Sequence, residues 1–315
     1  DSLRSLYGLM PESISHEGYS AKPMHSYWDD FFALRGYGDA VEIAAILGRE
    51  QEKQKFIASR DRFRANLYQS LELAIRNKAI DYIPGCAELG DFDATSTAIA
   101  VYPGNEWANL PQPQAQNTFD RYFDYFTRRL QPEFGWNAYT PYETRLIGAF
   151  VRIGQPQRAW ALLEFFMGHQ RPWGWNHWAE VVWKDASTPR FIGDMPHTWV
   201  GSDFINSVRT LFAFEDEHEQ SLVLAAGIPA AWLDDPQGVA VEKLPTYYGR
   251  ISYRLKKQRN HLKIRVSGEL TMPAGKIQVV IPPDYQAKDK KIPWNSDRNA
   301  VIVDRLPMKI VLIEN

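Results

Sequence analysis

Residues 27–77 read YWDDFFALRGYGDAVEIAAILGREQEKQKFIASRDRFRANLYQSLELAIRN. Phe31, Leu34, Val41, Ala44 and Leu47 recur at helical spacing, and Gly48 closes the run. A second stripe follows at once with Phe56, Phe63, Leu67, Leu71 and Ile75. The spacing predicts helices over Tyr27–Leu47 and Gln51–Asn77, joined by so short a turn that they must lie antiparallel. The same hairpin pattern then recurs. Thr95–Tyr102 reads as a short helix ended by Pro103, and Thr118–Leu130 follows a loop rich in Pro and Gln. Pro141–Ile153 and Gln157–Met167 pair across Gly154-Gln155-Pro156, and a last helix is expected from Thr198 to Phe214. Roughly seven helices result, set apart by aromatic loops; what repeats is the pattern and not the residues.

The texture changes near residue 215. Leu222–Ala226, Ile251–Leu255, Leu262–Val266, Ile277–Ile281, Val301–Val303 and Ile310–Ile313 are short β-rich runs, mostly alternating, with Asn260, Gly268, Gly275 and Pro282-Pro283 between them as turn residues. The expected organisation is therefore mainly α: an α/α-hairpin domain over 1–215, then a smaller antiparallel, β-sandwich-like domain over 216–315. No run approaches the roughly 18 apolar residues that a membrane span needs.

Composition excludes other partners and cofactors. The 315 residues carry 36 Lys and Arg against 38 Asp and Glu, which is no footprint for nucleic acid. Cys86 is the single cysteine, so no intramolecular disulfide and no zinc site of paired thiolates can form. That leaves the compartment open. Asp1 in place of Met fits a mature or truncated product, exported after losing a targeting segment. His16-Glu17 lacks a second histidine four positions on, and Gly36-Tyr37-Gly38 does not follow a strand. Asp29-Asp30 lacks the third aspartate of a diphosphate–magnesium site, and Cys86 has no evident base and reads as a small buried residue.

Eleven Trp, 15 Tyr and 16 Phe suit either a bulky helical core or a surface that stacks against sugar rings. Four loops, 10–30, 84–97, 134–143 and 170–203, join such aromatics to carboxylates just before a helix. Singly, Asp29, Asp30, Asp93 and Glu143 can each be first-turn acids favoured by the helix dipole. Jointly, the loops offer what glycoside chemistry requires: one carboxylic acid to protonate the leaving oxygen and a second carboxylate to activate water or attack the anomeric carbon. Two carboxylates need no metal or organic cofactor; calcium held by Glu88, Asp91 and Asp93 is the alternative to simple capping. Trp136, Trp173 and Trp175 stand beside Gly135 and Gly174, off any helical stripe. At least two of Trp136, Trp173, Trp175, Trp178 and Trp199 are expected to line a cleft with Glu180; the alternative is that they plug the centre of a helical ring.

In this order of features the chain resembles the six-hairpin (α/α)6 glycosidases, which include glucoamylases, α-L-rhamnosidases and the maltose-phosphorylase type. The stretch from Gly8-Leu-Met-Pro-Glu12 through His16-Glu17-Gly18-Tyr19 to Tyr27-Trp-Asp-Asp-Phe-Phe-Ala-Leu-Arg-Gly36 is similar to the loop and helix that carry their general acid. The resemblance gives that role to Glu17, with Glu12 as the rival. Trp178-Ala-Glu180 and Pro196-His-Thr-Trp199-Val-Gly-Ser-Asp203 resemble the late loop that carries the base, here Glu180. Leu224–Pro229 and Leu244–Gly249 resemble the passage of rhamnosidases into their C-terminal sheet.

Substrate contacts are then expected from each loop. They are Tyr27, Trp28 and Asp29 in the first, Asp93 in the second, and Trp136, Tyr142 and Glu143 in the third. The fourth adds Trp175, His177, Trp178, His197 and Trp199. Six hairpins need twelve helices, so the N-terminal part of the ring is expected elsewhere in the same protein. The resemblance implies a hydrolase of oligo- or polysaccharides; a non-catalytic saccharide-binding or scaffold module, or a fragment inactive by itself, is the alternative. Carboxyl groups about 6.5–9.5 Å apart would mark an inverting enzyme, and about 5–5.5 Å a retaining one.

Overall fold

The computed structural model describes residues 4–15, 18–188, 192–287 and 292–314. It forms two compact units: Asp1–Tyr139 with Trp183–Thr188, and Thr140–Val182 with Pro189–Asn315.

In the first unit, α1 (Tyr27–Ile46) and α2 (Glu50–Lys78) form the hairpin that the apolar stripes predict. Phe31, Leu34, Val41 and Ala44 are buried, as are Phe63, Leu67, Leu71 and Ile75. Leu47 is exposed, because it caps α1 and leaves the helical face as the chain turns. Gly48 takes a left-handed φ of +65° there, and Arg49 N–H donates to Ala44 O at 2.8 Å. The second pair is α3 (Ala94–Val101) and α4 (Gln114–Arg129). Helix α4 starts a turn earlier than its apolar period indicates, with Pro113 as N-cap. Thr118 therefore sits inside the helix, donating to Gln114 O and accepting from Ile83 N–H. A buried carboxylate, Glu106, ties α2 to the segment before α4; it accepts from Arg64, Tyr68 and Asn109. Two-residue strands β1 (Ala138–Tyr139) and β2 (Val182–Trp183) follow in chain order.

The second unit holds α5 (Arg145–Arg152), α6 (Pro156–Gly168) and α7 (Thr198–Phe212). A 3-10 turn, Pro141–Thr144, occupies the first turn expected of α5. Gly148 lets α5 approach α7 closely: its N–H donates to Ser207 Oγ at 3.2 Å, and that hydroxyl donates to Thr144 O. Helix α7 ends sooner than expected, at Phe212, because Ala213 is extended (φ −159°, ψ 142°) and begins β3 (Ala213–Asp216).

Two five-stranded sheets follow. The first joins β3, β4 (Ser221–Leu224), β8 (Ile277–Val280), β10 (Trp294–Asn295) and β11 (Ala300–Val303) in the order β10-β11-β8-β4-β3. The second joins β5 (Val239–Thr246), β6 (Gly249–Gln258), β7 (His261–Leu270), β9 (Tyr285–Ala287) and β12 (Met308–Glu314) in the order β5-β6-β7-β12-β9. Pairing is antiparallel except for β4 with β8, which run parallel. Both sheets feed one apolar core, in which Leu222, Leu224, Val279 and Val301 meet Ile251, Tyr253, Leu255, Leu262 and Ile264. Among the described residues, no helix is long and apolar enough to cross a membrane.

Candidate functional site

Glu180 lies in the loop between α6 and α7, and its main chain is fixed on both sides. Its N–H donates to Asp194 O at 2.9 Å, and its C=O accepts from Thr140 Oγ1 at 3.1 Å. Gly193 packs so tightly that a Cβ there would stand 3.0 Å from Val181 N and 3.5 Å from Glu180 Cβ. The Glu180 side chain is half-buried and takes no hydrogen bond or ion pair from another described residue. Trp178 is a packing anchor, buried with its ring 5.0 Å from Phe204 of α7. Upstream, Trp173 and Trp175 are 72% and 63% exposed on either side of Gly174, whose φ of +81° turns the chain. His177 is exposed as well, and its C=O accepts from Gln170 Nε2.

The start of α7 gathers a second group. His197 is the N-cap, with Nδ1 accepting from Val200 N–H and Nε2 3.3 Å from Tyr142 Oη. The Tyr142 ring meets His197 and Trp199 edge-on at 5.3 and 6.1 Å, and the Arg145 guanidinium lies 4.9 Å above it. Arg145 grips Asp203 through Nη2 at 2.5 Å and Nε at 3.1 Å. Burial raises the Asp203 pKa, against the opposing pull of Arg145 and His197. Thus Tyr142, His197 and Trp199 are brought together, with Trp199 43% exposed. Glu143 beside them is buried in the 3-10 turn. Arg145, which stacks on Tyr142 and grips Asp203, has no local sequence signal; Asp203 stands in the motif that resembles the late loop.

In the first unit the early loops are folded onto their own donors. Glu17 lies outside the described residues. Glu12 is exposed and shares a cluster with His25 and Glu88, one ligand atom from each lying within 4.8 Å. His25 Nδ1 stands 2.6 Å from Glu88 Oε1, so Glu88 already has a partner. Asp91 accepts from Tyr19 Oη and Cys86 N–H, and Asp93 caps α3 through Thr95 and Ser96. Asp29 accepts from the hydroxyls of Ser13 and Ser15. Asp30 is fully buried; one oxygen accepts from Met10 N–H at 2.8 Å and the other has no partner among the described residues. Burial pushes its pKa up to about 7. Cys86 is buried, and its thiol is pushed up to about 11, again chiefly by burial.

Three aromatic residues expected at a substrate are enclosed in this unit. Tyr27 is buried with its hydroxyl 2.7 Å from Ser70 Oγ, and Trp28 is buried against Phe32. Trp136, expected to stand exposed beside Gly135, is only 9% exposed. Its ring meets Tyr139 edge-on at 5.4 Å, and Lys184 Nζ lies 5.9 Å over it.

No protein-family model and no curated protein matches this sequence. Among solved structures, an α-L-rhamnosidase from Dictyoglumus thermophilum matches 90% of the chain at a TM-score of 0.50 and 14% identity. The chain spans 31% of the length of that rhamnosidase chain. At this identity the likeness shows a shared fold.

Proposed function

We propose that the chain is part of a glycoside hydrolase of the six-hairpin type, its helical hairpins forming a segment of an (α/α) toroid. The rest of the ring would come from elsewhere in the same protein. Glu180 acts as the catalytic base, and the loop before α1 supplies the acid, Glu17 or its rival Glu12. The observation that carries this reading is the state of Glu180: half-buried, held by its main chain, and with no side-chain partner among the described residues. A carboxylate locked in an ion pair has its lone pairs engaged; one whose lone pairs are not so engaged can accept a proton from water or attack an anomeric carbon. Trp173 and Trp175 present broad faces upstream on the same loop, suited to the C–H side of a sugar ring.

The exposure of these two indoles also favours a second reading, a saccharide-binding module without turnover. Aryl-glycosides, α-L-rhamnosides among them, and oligosaccharides offered to the full-length protein separate the two. We expect hydrolysis that Glu180→Gln lowers by about 10²–10⁴-fold in kcat with little change in binding. Glu17→Gln and Glu12→Gln then identify the acid. Binding without turnover in the unaltered protein would leave the module.

A further inference from the structure

The β6–β7 hairpin, residues 249–270, holds seven Lys and Arg and a single acid, Glu269, in a chain whose formal net charge is −2. Alternation sorts these side chains by face. Ile251, Tyr253 and Leu255 of β6 and Leu262, Ile264 and Val266 of β7 enter the core. Arg254, Lys256, Lys263 and Arg265 therefore point outward together. The register sets them in opposed like-charge pairs: Arg254 faces Arg265, and Lys256 faces Lys263. Lys309 of β12 lies opposite Arg265 on its other side. Like charges directly across a ladder repel, and among the described residues none of these five has a carboxylate partner. Together with Gln258, the four hairpin cations line a groove of about 300 Å³.

We propose that this groove binds an anionic polysaccharide, a chain bearing carboxylate or sulfate groups. The cations form a ladder about 5 Å wide across the strands and about 7 Å per step along them. A linear chain with regularly spaced anions matches such a ladder and relieves its repulsion. Among the described residues, the lining contains no aromatic ring to stack a nucleobase and no apolar wedge to enter a bilayer. Gln258 adds amide donors and acceptors for hydroxyl groups. The inference is independent of Glu180 and of any hydrolytic activity.

Affinity electrophoresis of the full chain through polygalacturonate, dextran sulfate and neutral dextran tests this, with single-stranded DNA and phosphatidylserine vesicles as competitors. Polygalacturonate or dextran sulfate should retard the protein and neutral dextran should not, and comparing the first two assigns the anion. Raising NaCl from about 50 to about 200 mM should weaken retardation at least tenfold. The double variants Arg254→Gln/Arg265→Gln and Lys256→Gln/Lys263→Gln should each bind at least tenfold more weakly. Their melting temperatures should hold or rise, because a repelling pair is gone, so lost binding would not be lost folding. The proposal is overturned if neither polyanion retards the protein, or if the variants bind as well as the parent. Competition by DNA or vesicles at equal charge concentration, as effective as by the polysaccharide itself, would overturn it too.

Discussion

Trp175 and Trp178 stand three positions apart in one loop and meet opposite surroundings. Trp178 is buried against Phe204, whereas Trp175 is mostly in solvent. Trp178→Ala should lower stability by about 3–5 kcal/mol, the usual cost of emptying a large aromatic site. Trp175→Ala should leave the melting temperature nearly unchanged and remove any fluorescence change on adding an oligosaccharide that binds. A melt and a fluorescence titration of the two variants check this; equal stability loss in both would show that exposure does not separate their roles. Sequence alone marks Trp136, Trp173 and Trp175 in the same way, by neighbouring glycines. Trp136 is nevertheless covered, partly by Lys184 from far along the chain, and no local pattern carries such a contact. The Tyr142–His197 contact is hidden for the same reason: 55 positions separate the two residues, and each looks like an isolated polar aromatic.

Elements are legible where burial is periodic. The stripes of α1 and α2 place both helices within a residue or two, because one face of each is buried in a regular rhythm. The first turn of α4 is polar, so it gives no such signal. Strand β5 was not expected: it lies at the edge of its sheet, carries Pro245, and shifts register between Val241 and Leu244 with Lys243 at a φ of +52°. The close approach of α5 and α7 is equally silent in sequence, resting on one glycine. A Cβ on Gly148 would stand 3.1 Å from Ser207 Oγ and 3.3 Å from its Cα. Gly148→Val should therefore cost about 1–3 kcal/mol by overpacking, and Gly148→Ala less. Denaturant unfolding of the two variants measures the difference; a valine tolerated without loss would mean that the helices can part freely.

At the scale of the molecule, the shift from helical to alternating texture falls where α7 gives way to β3, since a change of period is a property of the sequence itself. Long-range burial is not, and it sets how stability responds to pH. Two carboxyl groups, Asp30 and Asp203, have pKa values raised chiefly by burial. Asp30 keeps its proton to about pH 7 in the folded chain, against 3.8 ordinarily. Between those values the folded state binds more protons than the unfolded one, so stability must fall as pH rises. The contribution is complete below the unfolded value and gone above the folded one. At about 1.4 kcal/mol per pH unit, Asp30 alone could contribute on the order of 4 kcal/mol over that window, an upper figure for a fully intact folded state. Asp203 adds to the same slope, moderated by Arg145. Melting temperatures from pH 4 to pH 8 should therefore decline beyond what the other carboxylates offset. Asp30→Asn, which cannot ionise, should flatten the curve and melt higher relative to the parent at pH 8 than at pH 4. A variant whose melting temperature keeps a constant offset from the parent across this range would show that Asp30 is not the group holding the proton.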